Sequence, residues 1–421
     1  MKKYLALILC LIACLSVFVA CSSKGDSNEQ TQNETQTETK AETENKEATT
    51  EKTKVELPKK EWPNESDFDV FKKIEAPVGN PREIVMDHMM QMATISWTPA
   101  ENFTIKWEGT PSFSPDMALD FEAGKTYTGT TYGCTHASLE LFKHFLNEKN
   151  EFKYDNYSYE NIVGNNCSTT MTLSYQQLVD MPISVLKPIS TRLGLLSLAN
   201  GLKIPEGLGD NWYTADVWKA NDQMDVYEAY ATLESGDILY KSIKGTGHTR
   251  MVRSVEVYRT NAGKIVPSKC YVYVIESTNE WFDTEKTTLW YIDKKYTFSD
   301  LYKSEFMPVT LDIYHTENPT YDDAYIAFNS LLTEDLIKKS VLKGTVSSNF
   351  PLNYVMVTVT NSDGEMVDRL LNAGLTDSYK VDLRKLYLDT KDYEKGTYTL
   401  TLRAGIARGG VDLQTIQFTI D

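Results

Sequence analysis

At 421 residues the chain is too long for one ordinary domain and has material for two or three. Its hydrophobic fraction of 41% suffices for buried cores, and 59 acidic against 43 basic residues exclude the cationic face of a general nucleic-acid binder. Six cysteines exclude a disulfide-dense scaffold, and one short apolar run at the start excludes several membrane spans.

Residues 1–20 read as a signal peptide: Lys2 and Lys3 precede an apolar run, Leu5 to Val19, that is short for a permanent span. The run ends Phe18-Val19-Ala20-Cys21 before a polar stretch, which resembles a bacterial lipobox with Phe18 where Leu is preferred. That resemblance implies cleavage before Cys21, a lipid on its thiol and anchorage of the exported protein to the cell membrane. Residues 21–61 form a tether. Only Ala41, Ala48, Val55 and Leu57 among residues 22–60 are aliphatic, so the segment cannot bury enough surface to order itself. Such a tether reaches roughly 30–40 Å.

From 62 to 320 helical and extended patterns mix. Helices are expected at Arg82–Ala93, Thr135–Asn147 and Ser168–Val179, with weaker candidates at Ser184–Asn200 and Val226–Leu233; Trp97–Trp107 looks extended. A strand series follows: Asp237–Ile243, Thr249–Tyr258, Tyr271–Ser277 and Thr287–Tyr296. Helices first and a meandering antiparallel sheet afterwards make an α+β pattern. From 335 to 421 short alternating strands separated by Ser-Asp-Gly, Lys-Gly and Gly-Gly turns suggest a small immunoglobulin-like β-sandwich, a spacer or accessory module without a Cys pair or Trp.

Without the signal peptide and an acylated Cys21, three thiols remain: Cys134, Cys167 and Cys270. Cys167 follows Gly164-Asn165-Asn166 and precedes an amphipathic run, which puts it at a helix start, where free amides and the dipole favour a thiolate. A base is available in His248, at the start of a strand. A hairpin centred on Ala262 sets His248 opposite Glu276, within two residues of register, so a carboxylate can orient the imidazole. Pro267 in the return segment threatens that pairing. Cys134 also precedes a helix, but His136 lies two residues on and diverges from it, and no ligand cluster for zinc is nearby. Cys134 and Cys270 read as buried structural thiols, and His88, His144 and His315 as structural or solvated.

In order, spacing and local texture Cys167, His248 and Glu276 resemble the catalytic set of the NlpC/P60 cysteine-peptidase superfamily. The family's Asp-Cys-Ser-Gly corresponds to Asn166-Cys167-Ser168-Thr169, and its Gly-Asp-Leu/Ile strand start to Gly236-Asp237-Ile238. The resemblance covers roughly Lys125 to Thr297 and departs from the family at Asn166, at Thr169 and in long insertions. It implies a papain-like domain with helices packed on an antiparallel sheet, Cys167 as nucleophile, His248 as base, Glu276 as orienter and Tyr132 lining the substrate site. The implied activity is cleavage of an amide bond in peptidoglycan stem peptides, with no metal, organic cofactor or nucleic acid called for. A non-catalytic cell-surface binding lipoprotein on the same scaffold, or an esterase or acyl-transfer enzyme using the same residues, are the alternatives.

Overall fold

The computed structural model describes residues 61–107, 118–182, 186, 195–208, 212–244 and 246–421. The signal peptide, Cys21 and nearly all of the expected tether lie outside the described residues. The Asn80 side chain accepts from the amides of Arg82 and Glu83 and Pro81 follows it, so the first α-helix runs Pro81–Thr94. Six further α-helices follow among the described residues: Leu139–His144, Cys167–Tyr175, Thr214–Ala220, Gln223–Ala231, Phe298–Lys303 and Glu334–Lys338. With several mostly antiparallel sheets they make a mixed α+β protein. No helix among the described residues is long and apolar enough to cross a membrane.

The central sheet has six antiparallel strands, in the order Trp290–Thr297, Tyr271–Ser277, Thr246–Glu256, Ile238–Ile243, Met307–Leu311 and Leu196–Leu198. Val252, Val272, Val274 and Ile275 of this sheet share a buried core with Val85, Met89 and Met92 of the first helix and Met171 and Leu173 of the cysteine helix, Cys167–Tyr175. A second core is aromatic. Phe103 and Phe121 are cross-strand partners with ring centroids 4.6 Å apart, packed with Trp97, Tyr127, Phe142 and Phe152.

Two expected helices change on folding. The helix expected at Thr135–Asn147 shrinks to Leu139–His144, because the Thr135 hydroxyl donates to the Ile162 carbonyl (2.8 Å) and His136 adopts a φ of +53°. Ser138 then supplies the cap, accepting from the Leu141 amide. Of Ser184–Asn200, residues 184, 185 and 187–194 lie outside the described residues, while Leu196–Leu198 is a strand rather than helix, paired antiparallel with Met307–Leu311.

The C-terminal region forms two four-stranded sheets around one core. One contains Val70–Ile74, Ala324–Phe328, Thr345–Ser348 and Lys380–Asp382; the other contains Met366–Asn372, Leu352–Thr360, Gly396–Ile406 and Gly409–Ile420. Two of these strands come from outside residues 335–421, and one of the two from the chain's opening. Met366–Asn372 carries no alternating pattern and is exposed or half-exposed throughout, which hides it from a reading of periodicity.

This two-sheet unit grips the helical region at two places. Glu140 accepts from Arg403 Nη2 (2.7 Å) and from the Tyr354 hydroxyl (2.6 Å), and pairs with His144 (2.7 Å). Arg408, on the turn between the last two strands, donates to the carbonyls of Gln177 (2.9 Å) and Leu178 (3.1 Å), just past the cysteine helix. A cation there complements the negative end of that helix. The C-terminal unit is thus built onto the region that carries Cys167, not spaced away from it.

Candidate functional site

The loop that delivers Cys167 is stitched to an earlier segment. Backbone bonds run from Gly133 to Asn165, from Asn165 to Thr131, from Cys134 to Tyr159 and from Ala137 to Gly164. The two glycines allow this close approach: a Cβ on Gly164 would lie 2.5 Å from the Thr131 carbonyl, and one on Gly133 would lie 2.7 Å from Ile162 Cγ2. Asn166 then caps the cysteine helix. Its side-chain oxygen accepts from the amides of Ser168 (3.1 Å) and Thr169 (3.0 Å) and from both their hydroxyls.

Cys167 occupies the first helical position and is half-buried. The histidine strand, Thr246–Glu256, passes the helix start, and Thr249 Oγ1 donates to the Cys167 carbonyl (2.7 Å). Burial pushes the Cys167 thiol up. The neighbouring His248, by its charge and a hydrogen bond to sulfur, and the Thr249 amide outweigh burial and bring the thiol below its ordinary value.

His248 Nε2 bonds Glu276 Oε2, and the imidazole also hydrogen-bonds the Cys167 thiol. Glu276 is 1% exposed and fully engaged: Oε2 also accepts from Arg250 Nε (2.8 Å), and Oε1 accepts from the Tyr296 hydroxyl (2.8 Å) with Lys294 Nζ at 3.7 Å. Burial pushes this carboxyl up, but Arg250, His248 and Lys294 together hold it well below the usual carboxylate range. The chain sulfur–imidazole–carboxylate is therefore continuous, with the carboxylate charged at neutral pH.

Pro267 does shift the register, without separating the pair. Near the turn the hairpin is centred on Ala262: Arg259 bridges Ile265 and the Val266 amide donates to Tyr258. The 3-10 turn Pro267–Lys269 then inserts three residues, so that Tyr271 faces Glu256 rather than Arg253. A bulge between Tyr273 and Val274 takes one back, and Ile275 faces Met251. The net slip is two residues. Continuing the register sets Arg250 opposite Glu276, and because two is even His248 stays on the same face, one step along.

Tyr132 is buried and stacks on Tyr159, with ring centroids 5.8 Å apart. Tyr159 hydrogen-bonds Asn166 and lies beside both Cys134 and Cys167. Nothing in the spacing around Tyr159 marks it, or Arg250 and Tyr296, as part of the site. Cys134 is buried, with its sulfur 3.9 Å from the Glu160 carbonyl, and Cys270 is buried with its sulfur against the Tyr258 carbonyl (3.3 Å). Among the described residues no group of three or more His, Cys, Asp or Glu could hold a metal ion. No protein-family model matches this chain, and comparison with curated proteins and with solved structures gives no match.

His88 is a buried histidine behind the site, with Nδ1 3.0 Å from Ser174 Oγ on the cysteine helix. Burial lowers it from 6.5 to about 4. Since the folded value lies below the unfolded one, its contribution is complete above pH 6.5 and lost as the pH falls towards 4. Urea titrations are expected to show about 3 kcal/mol of acid-induced destabilisation over that window. His88→Gln should remove this part of the pH dependence, and an unchanged slope would contradict the assignment.

Proposed function

We propose that this chain is an exported, lipid-anchored cysteine hydrolase that cleaves an amide bond, most readily one in peptidoglycan stem peptides. The reading takes the helical region as an NlpC/P60-like, papain-like catalytic domain and the two-sheet unit as an immunoglobulin-like accessory. One observation carries it: a half-buried thiol at a helix start, an imidazole bonded to that thiol, and a charged carboxylate bonded to the imidazole. In this scheme the Cys167 sulfur attacks the carbonyl carbon and the Cys167 amide helps hold the developing oxyanion. The imidazolium of His248 gives its proton to the leaving amine. It then takes one from the water that releases the acyl group. Glu276 keeps the ring aimed and its cationic form stable.

Asn166 in place of the family's Asp supports the same chemistry. It caps the helix with a neutral oxygen, so no second negative charge stands beside the thiolate. The anchor, the location outside the cytoplasm and the wall substrate rest on residues 1–21 and on the NlpC/P60 resemblance. The test is digestion of purified cell wall with wild type and Cys167→Ala, followed by mass spectrometry of the soluble fraction. Peptide fragments are expected from wild type alone. Release that survives Cys167→Ala, or no release by either while wild type cleaves ester probes, would overturn the amide-hydrolase reading.

A further inference from the structure

The Glu276 oxygen that meets His248 is shared. Arg250 Nε donates to that same Oε2 at 2.8 Å, from two residues along the same strand. The guanidinium has little freedom, because its centre lies 3.9 Å from the ring centroids of both Tyr296 and Phe306. The Phe306 ring also meets the His248 imidazole edge-on, with centroids 6.2 Å apart. A buried carboxylate paired only with an imidazole would bind it as a tight ion pair and keep it protonated. A carboxylate already neutralised by a fixed cation orients the ring while leaving its proton easier to give up.

We infer that Arg250 is a positioning residue that neutralises Glu276 and thereby sets the pH window in which the Cys167–His248 pair is reactive. This rests on the hydrolase reading and adds a fourth member to the set, acting through the carboxylate rather than on substrate. Charged and titratable groups face the cluster from every packed element. These are Arg250 and His248 on the histidine strand, Glu276 beside them, Tyr291, Lys294 and Tyr296 on the next strand, Cys167 on its helix, Tyr159 behind it, and Tyr240 and Lys241 on the other neighbouring strand. Among them Arg250 is the cation bonded to the carboxylate oxygen that holds the imidazole; Lys294 stands 3.7 Å from the other oxygen and Lys241 lies over the Phe306 ring.

The sign follows from charge. Removing a cation beside the pair makes both proton losses harder, so both limbs of the reactivity profile move to higher pH; removing the carboxylate's charge moves them lower. The second-order rate of Cys167 alkylation by iodoacetamide, measured from pH 4 to 10, reads the limbs directly. Arg250→Gln is expected to shift them up by roughly one unit, and Glu276→Gln to shift them down. Arg250→Lys, which keeps the charge but loses the stacked fork, should shift them up by less, and it stands in if the Gln variant fails to fold. A purely structural role would lower the amount of reactive protein while leaving the limbs in place. Limbs that stay put in Arg250→Gln or in its Lys stand-in, or that rise in Glu276→Gln, overturn the inference. A wild-type profile like that of a free thiol, unaltered by His248→Ala, instead overturns the hydrolase reading itself.

Discussion

His248→Ala is expected to slow alkylation of Cys167 at pH 6 about a hundredfold and to reduce hydrolysis by about a thousandfold or more, the range lost with a general acid–base. The two readouts separate two jobs. Alkylation reports how far the imidazole lowers the thiol, since His248 acts on Cys167 both as a charge and as a hydrogen-bond partner. On the proposed mechanism, hydrolysis would also need the proton that His248 hands to the leaving amine. The variant should fold, because Glu276 keeps Arg250, Tyr296 and Lys294 as partners when the imidazole is gone. An alkylation rate equal to that of wild type would mean that Thr249 and the helix start alone account for the lowered thiol, leaving no base.

The largest loss of stability is expected from Asp237→Ala, about 2–3 kcal/mol by urea denaturation. Asp237 is 2% exposed, and it accepts from Thr310 Oγ1 (2.7 Å) and the Glu234 amide (2.8 Å) while pairing with Arg82 Nη1 (3.0 Å). Truncation takes the buried anion from Arg82, which lies over the Tyr314 ring at 4.2 Å and keeps Glu234 (3.0 Å) and the Ser235 carbonyl (2.8 Å), and from Thr310, which keeps His315 Nε2 at 3.0 Å, while the Glu234 amide loses its acceptor. The aspartate ties the first helix to the opening of the central sheet and does not touch Cys167. At temperatures where the variant is folded, alkylation should therefore keep its wild-type rate. A loss under 1 kcal/mol would show that water replaces the carboxylate there.

Much of the geometry of the candidate site was legible in the sequence because its three members carry local signals. Asn166 and Ser168 mark a helix start around Cys167, Gly247 and Thr249 a strand around His248, and the turn at Asn261-Ala262-Gly263 ties that strand to the one holding Glu276. The slip of two residues was not legible, because it is the sum of a Pro267 turn and a bulge, and only parity protects the outcome. Arg250 and Tyr296 were hidden for another reason. Their roles arise from neighbours across the sheet, and neither has a spacing of its own. The helix expected from Thr135 failed where side chains compete with the backbone, at the Thr135 hydroxyl and the left-handed His136.

The α+β pattern was visible in the order of elements, whereas the make-up of the C-terminal unit was not. Val70–Ile74 looks like an isolated apolar run until Ala324–Phe328 is set against it, residue for residue from Val70 opposite Phe328 to Ile74 opposite Ala324. That pairing has a consequence for assembly. The strand Val70–Ile74 must wait for a mate that is made some two hundred and fifty positions later, and closures of such high sequence separation are of the kind that form slowly. A shortened form ending near residue 320 would leave Val70–Ile74 without its mate, its edge bare and prone to self-association.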